Sequence, residues 1–501
     1  MKARRRASVL LVTVAVLALT ALAPTAVPPA HAAPSDYVSA AGGDLYLRGQ
    51  LWRPVGFNNY RLTSLPGGFA CDYAIDDAAL ATRLDQMRSA GANAVRTWFF
   101  QRYWEQGPAA NPWAPFDRLL TAAAARGMKV IPALVNQWND CEHDVFEKNH
   151  GFYASAYQSP GFGYARSFRD WAVMVATRYA TNATVAFWQL ANEAQPSYCS
   201  DTSRTCSPGT NPTYQCPGDA AAVLRAFADD MTARLKAVDA NHLVSLGTIG
   251  SGQCGAQEDQ YRHVHAGAVD VCEVHDYNHA AAAVPGDQWN GFALRLSQCQ
   301  GLGKPIFVGE AGIRADVGQE ATPCAITGES LARRARYFDA KMAAQFAAGM
   351  DGFLIWEKIL EASDSAANRT GECLGVGPGD PVEPFTKVWG GANASTINGF
   401  TWSTDGGQQP SGPRGSPVRA YATGLARGTS FRLVSAPQSG NEQHACRHNV
   451  VPINAAVRVS SASGFVGATV GVIDRPAGTW QICFRGTTGT AVGFPMVFQV
   501  T

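Results

Sequence analysis

The chain has 501 residues and carries 41 lysines and arginines against 40 aspartates and glutamates, a formal charge of +1. So even a balance excludes the strong basic field that recruits nucleic acids or anionic membrane surfaces. With 46% apolar residues, the length suits one large domain with a sizeable core and a smaller companion.

Lys2, Arg4, Arg5 and Arg6 precede an apolar run over 9–23, and Ala30-His31-Ala32 offers a small-x-small cleavage site. Residues 1–32 therefore read as a secretory signal peptide, with the mature chain starting near Ala33. The apolar run is short for a bilayer span, and no later segment is long and apolar enough for one. The expectation is a secreted, extracellular monomer without a membrane partner. Twelve cysteines in an exported chain favour disulfides, and they lack the tight paired spacing of a zinc site. Cys199 lies near Cys206 and Cys216 in a Ser/Thr/Pro/Gly-rich loop, which suits a loop staple.

Residues 44–53 alternate around a Gly turn and read as a hairpin. Residues 55–58 read as a first buried strand. A repeating unit follows. Leu80, Leu84 and Met87 recur at helical spacing, Gly91 ends that helix, and 94–99 is a strand. The pattern then predicts helix 116–126 and strand 129–134, helix 164–179 and strand 184–190, helix 219–238 and strand 242–247. Strand 269–275 follows, then helix 290–300 with strand 305–309, and helix 329–348 with strand 352–356. A last helix is expected over 380–388. Helix–strand alternation argues for a parallel sheet. Eight such units favour a closed (β/α)8 TIM-type barrel over an open doubly wound sheet, and no Gly-x-Gly-x-x-Gly follows the first strand.

The character changes after Trp402. Residues 403–417 form a Gly/Pro/Ser linker between a catalytic region at 33–402 and a tail at 418–501. The tail has short β-rich runs and reads as a small β-sandwich, immunoglobulin-like in outline, with Cys446 and Cys483 paired. Trp480 alternates with Ile482 and Phe484, which predicts a core position.

Two strings carry the chemistry. Phe187-Trp-Gln-Leu-Ala-Asn-Glu193 and Pro305-Ile-Phe-Val-Gly-Glu310 are apolar, strand-like runs that end abruptly in a carboxylate. In a closed barrel both ends lie on one rim, where such barrels carry their active sites. Facing carboxylates suit glycosidic bond cleavage, with one acid to protonate the leaving oxygen and one carboxylate to attack. The acid needs a raised pKa, from burial and from the other charge. The nucleophile needs a cation or donors. Arg96, ending the second strand, and Tyr277 are positioned to supply them.

Asn192-Glu193 after one strand, His275-Asp-Tyr277 after another and Glu310 after a third resemble glycoside hydrolase family five, a retaining β-glycosidase family on the eightfold βα barrel. The resemblance runs over roughly 45–388. Gly56-Phe-Asn-Asn-Tyr60, Val95-Arg-Thr-Trp-Phe-Phe100, Leu134-Val-Asn-Gln-Trp138 and the Glu193 string are similar to the strand ends of its β-mannanases. It implies Glu193 as acid/base, Glu310 as nucleophile, Asn192 on the sugar 2-hydroxyl and Trp356 as the aromatic floor. Arg96, Asn136, His275, Tyr277 and Trp138 join the substrate-binding set, and Trp98, Phe99, Phe100 and Trp289 are further wall candidates. Trp188, mid-strand, reads as core. No metal or organic cofactor is implied. The implied substrate is a β-linked polysaccharide or oligosaccharide, β-1,4-mannan first and β-1,4-glucan second. Ala194 stands where the family commonly has Pro, and Ala311 where an aromatic is common. A non-catalytic carbohydrate-binding protein on this scaffold, and a transglycosylase, are the alternatives.

Overall fold

The computed structural model describes residues 36–391 apart from 63–76, 139, 144–146, 200–213, 251, 278–291, 322–323 and 360–372. Of the C-terminal part it describes 397–402, 411–412, 416–422, 430–437, 451–452, 457–458, 466–473, 475–486 and 491–500. The expected signal segment, Trp289, and Cys446 with its expected pairing to Cys483 lie outside these residues.

Eight parallel strands form one sheet: β1 (Val55–Asn58), β2 (Ala94–Trp98), β3 (Lys129–Ala133), β4 (Phe187–Gln189), β5 (Leu243–Ser245), β6 (Cys272–Asp276), β7 (Ile306–Ala311) and β8 (Gly352–Ile355). Their order is β5-β4-β3-β2-β1-β8-β7-β6. A parallel bridge from Ser245 to Val271 joins the two ends, so the sheet closes on itself. A main helix follows each strand: α1 (Asp77–Ser89), α2 (Ala114–Ala124), α3 (Phe168–Tyr179), α4 (Ala220–Val238), α5 (Glu258–His265), α6 (Phe292–Gly301), α7 (Gly328–Ala348) and α8 (Glu383–Gly391), with short helices Gln101–Glu105 and His150–Ala154 in the connections after β2 and β3. This is the predicted (β/α)8 barrel. Helix α5 was not anticipated, because its polar run Glu-Asp-Gln-Tyr-Arg-His carries only a narrow apolar stripe, Tyr261 and Val264.

Nearly every strand residue is buried, as strands covered on both faces must be. Leu80, Leu84 and Met87 of α1, Leu119 and Leu120 of α2, and Phe227 and Met231 of α4 pack into one large core with the strands. A second cluster plugs the strand starts. Val38, Leu45 and Trp52 from the N-terminal hairpin meet Ala94, Ile131, Phe187, Phe307 and Leu354. With that end sealed, the chemistry is left to the C-terminal rim.

Disulfides tie loops to the barrel. Cys216 pairs with Cys254 and so joins the loops after β4 and β5, which rules out the Cys199–Cys216 staple; Cys206, the other expected partner of Cys199, lies outside the described residues. Cys272–Cys299 links β6 to α6, and Cys324–Cys373 links the loops after β7 and β8. In the C-terminal part, the strand Ile397–Trp402 pairs antiparallel with Ser416–Ala422 rather than ending the barrel. Longer strands at Ser430–Pro437, Gly478–Gly486 and Ala491–Val500 pair antiparallel in a second sheet. Trp480 is not core: it is partly exposed, stacks under Arg475 at 5.5 Å and donates to the Pro476 carbonyl. Among the described residues no helix is long and apolar enough to cross a membrane.

Candidate active site

The site grows from Arg96, which β2 points into the barrel with no exposure. Its guanidinium reaches three other strands and the loop that follows one of them. Nε donates to Gln189 Oε1 at 2.8 Å, Nη1 to Asn58 Oδ1 at 2.8 Å and to Glu310 Oε1 at 2.6 Å, and Nη2 to Asn192 Oδ1 at 2.5 Å. A planar fork satisfies such a set; a lysine has no equivalent geometry. Glu310, at the end of β7, is 3% exposed and takes a second donor, the Tyr277 hydroxyl, at 2.7 Å. Both expected supports of the nucleophile position are therefore filled.

Tyr277 reaches Glu310 because residue 312 is glycine. A Cβ there would sit 2.4 Å from the Tyr277 ring. The room beneath Tyr277 thus comes from Gly312, the residue after the departure at Ala311.

Glu193 adopts φ 58°, a left-handed conformation uncommon outside glycine. Gln253 Nε2 holds its carbonyl at 3.1 Å, and Ala194 N–H donates to the Gly247 carbonyl at 3.0 Å. The carboxylate receives Trp138 Nε1 at 2.6 Å and His275 Nδ1 at 2.7 Å. Burial pushes this carboxyl up, but the His275 hydrogen bond and charge, with Trp138 and Arg96, hold it below the ordinary glutamate value. The expected raised pKa does not hold in the resting site. The reason is His275: burial opposes its charge, yet the Glu310 charge and hydrogen bonds to Glu193 and Glu273 raise it to about 10. Both shifts act in the direction of a charged Glu193–His275 pair.

His275 is a junction of three carboxylates. Its Nδ1 is 2.7 Å from Glu193 and 3.5 Å from Glu310, and its Nε2 is 3.3 Å from Glu273. Glu193, His275 and Glu310 each place one atom within 4.8 Å of the others. Arg96 already supplies a fixed cation there, so the donor set fits a network of protons and charges.

Asn192 accepts from Arg96 and donates to Asn136 Oδ1 at 2.9 Å. Asn136 uses its oxygen on Asn192 and on Trp138 N–H, and its amide on the Asp140 carbonyl. Trp356 follows β8 and stacks on Tyr60 at 5.7 Å and 7°. Trp98 lies 6.0 Å from Trp356 and 4.9 Å under Arg96. Phe99 and Phe100 are fully buried; Phe99 packs on Phe116 at 4.3 Å, so it is core, and Phe100 lies behind Trp98. Trp188 is core as expected, its indole bonded to Asp239.

Sequence reasoning passed over Tyr60, Asn58, Gln189 and Glu273. The signal for Glu273 was present. Alternate residues of a strand share a face, so Glu273 lies on the face of His275.

A barrel whose C-terminal rim holds two facing carboxylates, an arginine, an Asn and an aromatic floor defines a glycoside hydrolase by its site. The chain matches the cellulase family (glycosyl hydrolase family 5) over residues 55–346 and belongs to it. It is 28% identical over 219 residues to the probable mannan endo-1,4-beta-mannosidase C of Aspergillus terreus, covering 42% of this chain and 46% of that one. It thus spans about half the length of that relative. It is 22% identical over 410 residues to mannan endo-1,4-beta-mannosidase F of Aspergillus fumigatus, covering 74% and 78%. Among solved structures, the endo-1,4-beta-mannanase of Rhizomucor miehei superposes with TM-score 0.50 at 16% identity, covering 71% of this chain and 98% of that one.

Proposed function

We propose that the chain cleaves β-1,4-mannan by double displacement, with Glu310 as nucleophile and Glu193 as acid/base. The carrying observation is carboxylate spacing: an oxygen of Glu193 and one of Glu310 lie within 4.8 Å. Retaining glycosidases hold their carboxyls about 5 Å apart, and inverting ones leave room for a water. The mannan assignment is supported by the names of relatives from Aspergillus and, at 24% identity, from rice. β-1,4-glucan is the second choice of substrate, in place of mannan.

Glu310, ion-paired to Arg96 and bonded to Tyr277, attacks the anomeric carbon. Glu193 first receives a proton from His275 Nδ1 across their 2.7 Å hydrogen bond and then gives it to the leaving oxygen. In the second half Glu193 takes a proton from water, the water oxygen attacks the glycosyl–Glu310 ester, and the proton returns to His275. Bound sugar expels water and disfavours separated charge, which moves the shared proton toward Glu193. Asn192, its oxygen held by Arg96, presents amide N–H to the sugar 2-hydroxyl. Trp356 and Tyr60 form the apolar floor for sugar C–H faces.

Export by a signal peptide at residues 1–32 is part of the proposal, supported by Cys216–Cys254, Cys272–Cys299 and Cys324–Cys373. The C-terminal antiparallel sheets are proposed as a separate β module, and the enzyme as a monomer.

The test is reducing-sugar release from mannan, glucomannan and β-glucan by wild type and by Glu310→Gln. Release from mannan by wild type alone is expected, with NMR of the first-formed anomer reporting retention. Equal release by both proteins, or first-formed inverted product, sinks the assigned roles.

A further inference from the structure

A third carboxylate lies beneath the catalytic pair. Glu273, on β6, has no solvent exposure. Its neighbours come from every strand around it. Gln189 Nε2 of β4 donates to both of its oxygens, and Ser245 Oγ of β5 donates to Oε2 at 2.8 Å. Arg96 Nε of β2 is 3.8 Å from Oε1. His275 Nε2, two residues along the same strand, is 3.3 Å from Oε1. On the β7 side the chain makes space: a Cβ at Gly309 would stand 1.9 Å from Glu273 Oε1. Of the other titratable groups nearby, Tyr261 and His265 of α5 feel its charge; Tyr261 bonds the Glu273 carbonyl, and so does Thr248.

A buried carboxylate with this many directed donors is an expensive feature to keep in a barrel interior. Apolar packing would serve the fold equally well. What the carboxylate does that a leucine does not is face the far nitrogen of His275. An imidazole ring presents two nitrogens, and the partner of one sets what the other offers.

We propose that Glu273 is a positioning residue for catalysis: by accepting from His275 Nε2 it fixes the ring's orientation and stabilises the imidazolium, the form in which Nδ1 also donates toward Glu193. Glu273 acts through His275 and touches no substrate. Gln189 belongs to the same device, because one side chain accepts from Arg96 and donates to Glu273, so the arginine that holds the nucleophile and the carboxylate that holds the histidine are set by one amide. The inference rests on the hydrolase reading above, and on His275 as the proton partner of Glu193.

The test is the pH dependence of kcat and KM for wild type, Glu273→Gln and Glu273→Asp on a defined mannooligosaccharide. Glutamine keeps the size and removes the charge. The expected result for Glu273→Gln is a kcat about 10-fold lower or worse with KM nearly unchanged, in line with other histidines deprived of a buried carboxylate partner. The basic limb of kcat/KM moves to lower pH, because an imidazolium with one fewer carboxylate loses its proton sooner. Glu273→Asp recovers part of the limb position. In a His275→Asn background, Glu273→Gln adds little further loss. Unchanged limbs in Glu273→Gln, or full additivity with His275→Asn, overturn the proposal even if the variant melts earlier. If Glu273→Gln does not fold, Ser245→Ala replaces it: a smaller shift of the same limb supports the proposal and none overturns it. Wild-type protein that releases no sugar from any substrate refutes the hydrolase reading itself, a result distinct from an active wild type with an unmoved limb.

Discussion

At the residue scale, the site works by placing rather than by numbers of charges. Two glycines show this. Gly309 leaves space for Glu273, and Gly312 leaves space for the Tyr277 ring, each with a Cβ clash well below contact distance. Gly312→Ala is expected to displace Tyr277, which donates to Glu310 at 2.7 Å. Positioned donors of this kind contribute about 10-fold or more to rate. The variant should therefore lose kcat by about that factor, match Tyr277→Phe, and keep a melting temperature close to wild type. Full activity in Gly312→Ala would show that the ring has another way to reach Glu310. Asn136 teaches the complementary point. Its residue type and rim position suit a sugar contact, but its side chain is already bonded to Asn192, Trp138 and Asp140.

At the element scale, β6 divides its work by face. His275 and Glu273 point inward to the site. Asp276, one residue on, points the other way and meets Lys341 of α7 at 2.9 Å, with Gln345 at 2.7 Å. Lys341 and Asp276 are both buried. This pair clamps α7 to the strand that presents His275, and α7 is itself started by a reciprocal Thr327–Ser330 cap. Lys341→Met should destabilise the fold by about 3 kcal/mol, because it leaves Asp276 a buried charge with fewer partners. Asp276→Asn in addition should restore part of the loss. Denaturant unfolding of the single and double variants measures both, and a single variant as stable as wild type would contradict the clamp.

At the scale of the whole molecule, closure of the barrel brings together residues that are distant in the chain, and it couples the site to stability. His275 has its pKa raised from about 6.5 unfolded to about 10 folded. Its contribution is fully present below 6.5 and is lost as pH rises through about 10. Glu193, held below its ordinary value, belongs to the same pair and contributes in the opposite direction, losing its share as the solution is acidified. The wild-type melting temperature should fall between neutral pH and pH 10, and His275→Asn should flatten that decline. A decline of equal slope in both proteins would assign it elsewhere. Much of this architecture was legible in the residues: the strands announce themselves as short apolar runs, some set off from the preceding helix by a glycine such as Gly91 or Gly127, and Glu193 and Glu310 stand out because a charge ends such a run. The alternation of β6 put Glu273 and His275 on one face, but not what that face looks at. Phe99, Phe100 and Trp98 are adjacent and chemically alike, so only packing separates the rings buried in the core from the one beside Arg96. Sequence periodicity fixes local conformation and face, since both follow from steric rules within a few residues. Which faces meet, and where the proton between Glu193 and His275 rests, depend on burial and on charges from β2, β4, β6 and β7, and these exist only once the sheet has closed.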